Sequence, residues 1–354
     1  MNRTQLLMLL LFLAAPARAQ PPPDMPVTAE EKTRIILRTA DVIDRYYIEP
    51  ATGKAIAEAL RASLESGPIA RAGTALALVP LVNRLLRDHG GDRHLRFGYQ
   101  HQPQVDLGDA PETPAQRAER GLEAAQDGFG VHGVQWLEGN IALLTLQKFY
   151  EPDVAGDAVA AAMALLQPSD ALIIDLRDNA GGSPYMVSML VSYFLAPTEE
   201  PLLLSTVENR YKGDTLQFWS APYLPGPRYE AKHIYILSSR RTFSAGEGFI
   251  EQMRRIRTGV TVLGDTTRGG ARMSRWITVD PHFAVSVSVA RHMGDTKDWE
   301  GVGLAPDVVT PEKDALRAAH LMALRALRTA AADSSRRSSL DATIKDLEQA
   351  TPAR

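Results

Sequence analysis

The sequence contains no cysteine. No disulfide framework supports the fold, and no lipid anchor can be attached through that residue. Beyond the first twenty residues no run is long and apolar enough to span a bilayer, so no stable membrane anchor is expected. There is no long basic run and no basic face interleaved with aromatics, and the formal charge is -3, which argues against nucleic acid as a partner. Neither His-Glu-x-x-His nor any other clustered ligand spacing occurs, so a metal is not expected. Neither a G-x-G-x-x-G nor a P-loop occurs, so a nucleotide cofactor is not expected either. No internal repeat is present.

What is there is a chain of 354 residues, 45% hydrophobic and 23% charged, enough for an ordinary core in two domains or in one domain with additions. Residues 1–19 have the layout of a secretory signal peptide. Arg3 is followed by an apolar run from Leu6 to Ala15 and by the end Ala17-Arg18-Ala19, with cleavage before Gln20. Export to the periplasm or medium is the expectation, and loss of Arg3 and Arg18 takes the charge from -3 to -5. A proline-rich leader covers 20–27. At Thr28 the spacing Thr-x-x-Glu31 is a capping box, opening a helix with Ile36, Ala40, Ile43 and Tyr47 on one face and Pro50 as its stop. Further helices are predicted over 53–66 and 75–88, giving a helical unit over 28–99. Residues 100–120 are polar, proline-bearing and aperiodic, and read as a linker. An α/β core follows over 121–310, its strand signals alternating with helices, and 311–354 reads as a last helix and a polar tail from Ala332. On that helix His320 reads as the edge of a packing face.

Three stretches carry chemistry. Thr242-Phe243-Ser244-Ala245-Gly246-Glu247 lies between the apolar strand Ile234 to Leu237 and a helix. It reads either as a capping box, Ser244 with Glu247, or as a nucleophilic serine at the positive end of a helix. Asn179-Ala180-Gly181-Gly182-Ser183-Pro184 follows the continuous apolar strand Ala171 to Leu176. Two glycines before a Pro-started helix allow backbone N–H groups to face outward as a small anion nest, although such turns are also ordinary connections. Asp298-Trp299-Glu300-Gly301, with the glycine-rich turn to Asp307, reads as a surface loop or as the seat of a buried orienting acid.

In this order the stretches resemble the S41 serine peptidases, the group that includes the carboxy-terminal processing proteases, the tricorn core and the retinoid-binding-protein repeats. Ile173 to Gly182 is similar to the family's strand and oxyanion turn, Thr242 to Glu247 to its T-x-S-A-G-E segment, Gly264 to Gly270 to the strand and turn after it, and Glu300 to Asp307 to its closing segment. The resemblance runs from about residue 30 to 310 and takes in Tyr46-Tyr47. Tail-specific members carry a base lysine in a G-K-G turn where this chain has Gly269 and Gly270, and the next lysine is Lys297. They also carry a PDZ domain, for which the 47 residues from His94 to Ile141 leave no room.

The resemblance therefore implies the branch with a Ser/His/Glu arrangement and no PDZ domain. It implies a ClpP/crotonase-like spiral α/β core with an N-terminal helical cap. It places the nucleophile at Ser244, the base at His94 and the orienting acid at Glu300, with Ala245 and Gly181 or Gly182 as oxyanion donors. Arg93 stands where tricorn enzymes have a serine beside the histidine. From spacing alone eight histidines compete, and His292 is nearer to Glu300. The triad chemistry implies an imidazole pKa near or somewhat above about 6.5. The expected function is an exported serine peptidase acting on peptides or proteins without a cofactor. The other readings are a non-catalytic module for apolar ligands and a small-substrate esterase.

Overall fold

The computed structural model describes residues 23–103, 112–198, 200–230, 232–294 and 298–349; the signal-like segment and Lys297 lie outside them. Thr28 caps α1 (Ala29–Tyr46): its Oγ1 accepts from the Glu31 N–H at 3.2 Å, and its own N–H donates to Glu31 Oε2 at 2.8 Å. Pro50 does not end this helix. It takes the first position of α2 (Pro50–Ala62), where a missing N–H has no intrahelical partner to lose. A single turn, α3 (Pro68–Arg71), and α4 (Ala75–Gly90) complete the helical unit, which leads into strand β1 (Arg96–Tyr99).

The polar stretch read as a linker contains the start of α5 (Pro114–Gln126), capped by Thr113 and Gln116. Only Ala124 of that helix is buried, so no apolar period marks it in the sequence. A hairpin joins β2 (Val131–Leu137) to β3 (Ile141–Leu146) through Gly139 and Asn140, both at positive φ. Then come α6 (Pro152–Leu166), β4 (Ala171–Asp175), α7 (Pro184–Tyr193), β5 (Leu203–Asn209), β6 (Asp214–Trp219), β7 (His233–Ser238) and α8 (Ala245–Ile256). The chain continues through β8 (Val260–Gly264), β9 (Met273–Asp280), β10 (Phe283–His292), β11 (Val308–Val309), α9 (Glu312–Ala330) and α10 (Ser334–Gln349). α10 lies where a polar tail was expected; its one buried residue, Leu340, joins Ala323 and Leu324 of α9.

Two sheets organise the core. In the first the strand order is β11-β8-β7-β4-β3-β2, parallel except for β2 at the edge. Its central strand β4 is buried on both faces, as its continuous apolar run requires. Leu172 and Ile174 point to the face covered by α6, α7 and α8; Ala171 and Ile173 point to the face covered by α9 and α10. The second sheet is antiparallel, with β10 pairing β1, β5 and β9, and β6 beyond β5. Val285, Val287 and Val289 of β10 pack with Ile35, Ile36 and Ile43 of α1 and Leu78, Val82 and Leu86 of α4. The helical unit is thus fixed to the antiparallel sheet by its own core. No helix among the described residues is long and apolar enough to cross a membrane. His320 is buried, and its Nε2 pairs with the Glu138 carbonyl at 2.8 Å, a packing role.

Candidate active site

β7 and α8 are joined by a sharp turn. Its tip is held by Ser239 N–H on Thr242 Oγ1 (2.9 Å), Thr242 Oγ1 on the Leu176 carbonyl (2.7 Å) and Phe243 N–H on the Asn179 carbonyl (3.0 Å). These bonds keep Ser244 at φ +54° and ψ -119°, a conformation that costs a non-glycine residue about 1–3 kcal/mol. Ser244 is half-buried at the N-terminus of α8. Glu247 does reach back to the Ser244 N–H, at 2.9 Å, as the capping pattern asks. The same carboxylate, fully buried, also accepts from Thr267 Oγ1 (2.5 Å), Gly269 N–H (2.7 Å) and Gly270 N–H (2.7 Å). One buried charge, satisfied by four donors, therefore ties the serine to the 267–270 turn. Burial raises the Glu247 carboxyl even so.

His94 lies between α4 and β1. Asp92 shapes that loop, its Oδ1 accepting from the His94 N–H at 2.7 Å. The His94 ring stacks on Phe243 at 4.4 Å, and its Nε2 stands 3.0 Å from Ser244 Oγ. Gly270 makes the stack possible: a Cβ there would overlap the Phe243 ring and lie 2.8 Å from His94 Cε1. Burial lowers the imidazole to about 4 against the pull of Asp92, and Arg96 and Arg268 push the same way. The expectation of an ordinary or raised value is not met, because the cost of burying the cation exceeds the neighbouring carboxylate's attraction.

On the other side of the ring are two acids. Glu300 Oε2 accepts from the N–H groups of Ala271 (2.7 Å) and Arg272 (3.1 Å). Asp92 Oδ1 is 3.8 Å from His94 Nδ1. Asp92 Oδ2, His94 Nδ1 and Glu300 Oε1 are buried without a hydrogen-bond partner. Asp92, His94 and Glu300 bring one ligand-type atom each within 4.8 Å of the others, the one group among the described residues that could hold a metal ion. Burial, and then the Asp92 charge, raise the Glu300 carboxyl to about 7. Tyr47 stands by the same acids, its phenol pushed up by burial and by Asp92. Asp92 was not singled out from the sequence; the signal available was its Asp-x-His spacing, which fits a side-chain turn onto the histidine's own N–H.

The Gly-Gly turn meets the serine from the end of β4. Gly181, at φ +95°, comes so near that a Cβ would lie 2.7 Å from Ser244 Cβ, and its N–H is taken by Asn179 Oδ1 at 2.9 Å. The N–H groups of Gly182 and Ala245 have no acceptor among the described residues. Both residues border, with Ser244, a cavity of about 160 Å³ whose walls include Val187, Phe218, Gln252 and Trp299. His292 lies in this wall, its Nδ1 2.9 Å from Ser205 Oγ and its ring on Trp299. Among the described residues no hydrogen bond joins it to Ser244, whereas His94 Nε2 is at 3.0 Å.

A strand-turn-helix serine, an imidazole on its hydroxyl and two free N–H groups at the same cavity define a serine-type hydrolase class of site on an α/β spiral core. The family model described as Peptidase family S41 matches residues 140–310. Residues 140–310 are a peptidase family S41 domain, of the serine peptidase type. Similar solved structures include a lipoprotein from Streptococcus agalactiae, 14% identical with a TM-score of 0.54 over 84% of this chain and 96% of that one. The tricorn protease is 12% identical with a TM-score of 0.54, covering 91% of this chain and 37% of its own. At these identities the likeness is one of fold.

Proposed function

We propose that this protein is an exported serine endopeptidase in which Ser244 is the nucleophile, His94 the base and Glu300 the acid. The observation that carries the reading is the 3.0 Å approach of His94 Nε2 to Ser244 Oγ, made by residues 150 positions apart. His94 Nε2 takes the hydroxyl proton as Oγ attacks the peptide carbonyl. The Ala245 and Gly182 N–H groups receive the oxyanion, with the α8 N-terminus behind them; Gly181 contributes close approach, its own N–H being occupied. The imidazolium then gives its proton to the leaving amine, and water repeats the sequence on the acyl-enzyme. Glu300 stabilises the imidazolium from the Nδ1 side. Peptides or proteins are the substrates. Export rests on the layout of residues 1–19. The cavity at Ser244 is smaller than the roughly 300–1,000 Å³ usual for buried small ligands, which weighs against the carrier reading at this site.

A fluorophosphonate probe tests the assignment. Wild type is expected to label, and Ser244→Ala is expected to remain folded, at a cost of about 1 kcal/mol if the hydroxyl supports the helix start, and to be silent. Labelling that persists in Ser244→Ala would move the nucleophile elsewhere. Soluble protein that N-terminal sequencing finds with Met1 intact would remove the export step.

A further inference from the structure

Beside the His94 face of Ser244 runs a second cavity, which shares only Ser274 with the one at Gly182. It is lined by Arg93, His94, Arg96, Phe243, Arg268 and Trp276, and it continues into a groove bordered by the same three arginines and Arg87. Many arginines among the described residues are ion-paired, among them Arg241 with Asp178, Arg272 with Asp298 and Arg291 with Glu208. These are not. Among the described residues Arg93 and Arg87 have no side-chain partner. Arg96 reaches only the Arg93 carbonyl at 3.1 Å, and Arg268 lies over the Phe243 ring at 5.2 Å. The charges feel one another, since Arg96 and Arg93 push the Arg268 guanidinium down, after burial. An unpaired basic cluster in a chain of net charge -3 is not a by-product of composition.

The cluster's side is set by the chemistry. His94 Nε2 must return its proton to the departing amine, so the leaving segment of the substrate lies on the His94 side. The acyl side takes the cavity at the oxyanion donors. We propose that Arg93, Arg96 and Arg268 form a subsite for carboxylates on the leaving-group side of the scissile bond, making this a peptidase that prefers acidic primed residues. The proposal rests on the serine-peptidase reading above. Trp276, half exposed, gives the departing chain a flat floor. The seated anion also acts on catalysis. Arg96 and Arg268 oppose protonation of His94, and a carboxylate among them offsets that repulsion as the imidazolium forms.

The test pairs peptides carrying Glu or Gln downstream of the cut, each as a free acid and as an amide. Cut sites from wild-type digestion are mapped by mass spectrometry. Binding of the same peptides to Ser244→Ala protein is then titrated at low and high salt. The Glu peptides are expected to bind about tenfold tighter at low salt, an advantage that shrinks with salt and is lost in Arg93→Gln/Arg268→Gln combined with Ser244→Ala. An advantage carried by the free acid assigns the subsite to chain ends, and one carried by Glu assigns it to internal acidic residues. Equal binding of Glu and Gln forms with no effect of the terminus overturns the proposal, as does a preference that survives the arginine substitutions. Binding preference with no hydrolysis by wild type would instead overturn the peptidase reading and leave the subsite standing.

Discussion

His94 and Glu300 carry opposite displacements, and their pH behaviour follows from the pair. With the imidazole lowered to about 4, the base is neutral throughout the physiological range. With the Glu300 carboxyl raised to about 7, it is the acid that loses its charge first on acidification. kcat/KM is therefore expected to fall as pH drops through about 7. In Glu300→Gln that step should vanish, the residual rate being about 10²- to 10⁴-fold lower across the profile. Stability moves in two senses. His94, depressed below its unfolded value of about 6.5, contributes stability that is full above 6.5 and lost as pH falls toward 4, about 3 kcal/mol in all. Glu300, raised, contributes stability present below about 4.5 and lost as pH rises through about 7. Glu300→Gln should then raise the melting temperature at pH 8 and change it little at pH 4.5, a contrast that thermal melts at the two values would read. Ser244 and Glu300 could be proposed from ordered motifs, and His94 from the family's placement of its histidine; the protonation of the two could not, because it depends on burial, which tertiary packing sets.

Glu247 shows how an element boundary becomes a site. In the sequence it reads as the far half of a capping box on α8. In the fold it also gathers two backbone N–H groups and a hydroxyl from a turn twenty residues further on. Glu247→Ala leaves those buried donors without an acceptor and is expected to cost about 3–5 kcal/mol, read as a lower urea midpoint at unchanged slope. Glu247→Gln keeps the shape with one fewer acceptor and should lose less. Among the elements with a buried face, α1 was legible from its period, α6 from its alanine-rich composition and β4 from its continuous apolar run. Those the sequence hid, α5, α10 and β6, each bury a single residue: Ala124, Leu340 and Phe218. With one apolar anchor no period forms, and tertiary contact decides the element.

At the scale of the molecule the proposed nucleophile and its proposed base belong to different layers. Ser244 stands on the parallel sheet's α8, whereas His94 is delivered by the helical unit through the antiparallel sheet. Their alignment depends on the core between α1, α4 and β10. Ile43 is fully buried there, one helical turn before Tyr47. Ile43→Ala should cost about 2–5 kcal/mol by urea titration, while molecules that remain folded keep their kcat/KM. A drop in kcat/KM under conditions where the variant is fully folded would instead mean that the unit's seating tunes the His94 to Ser244 distance. The motif order put the histidine before the polar stretch and the serine after it, but the second sheet was not expected. Which layer closes on which was not, because that is a matter of packing between Val285, Val287 and the helices.

The bare α-carbon of Gly270 sets a historical constraint. Relatives with a lysine base place it in this same turn, but here any side chain at 270 would run into the Phe243 and His94 rings. Histidine and lysine are rival occupants of one volume. On the proposed assignment, Gly270→Lys would displace the imidazole before an amine could replace it, so in this chain a change of base would take more than one substitution.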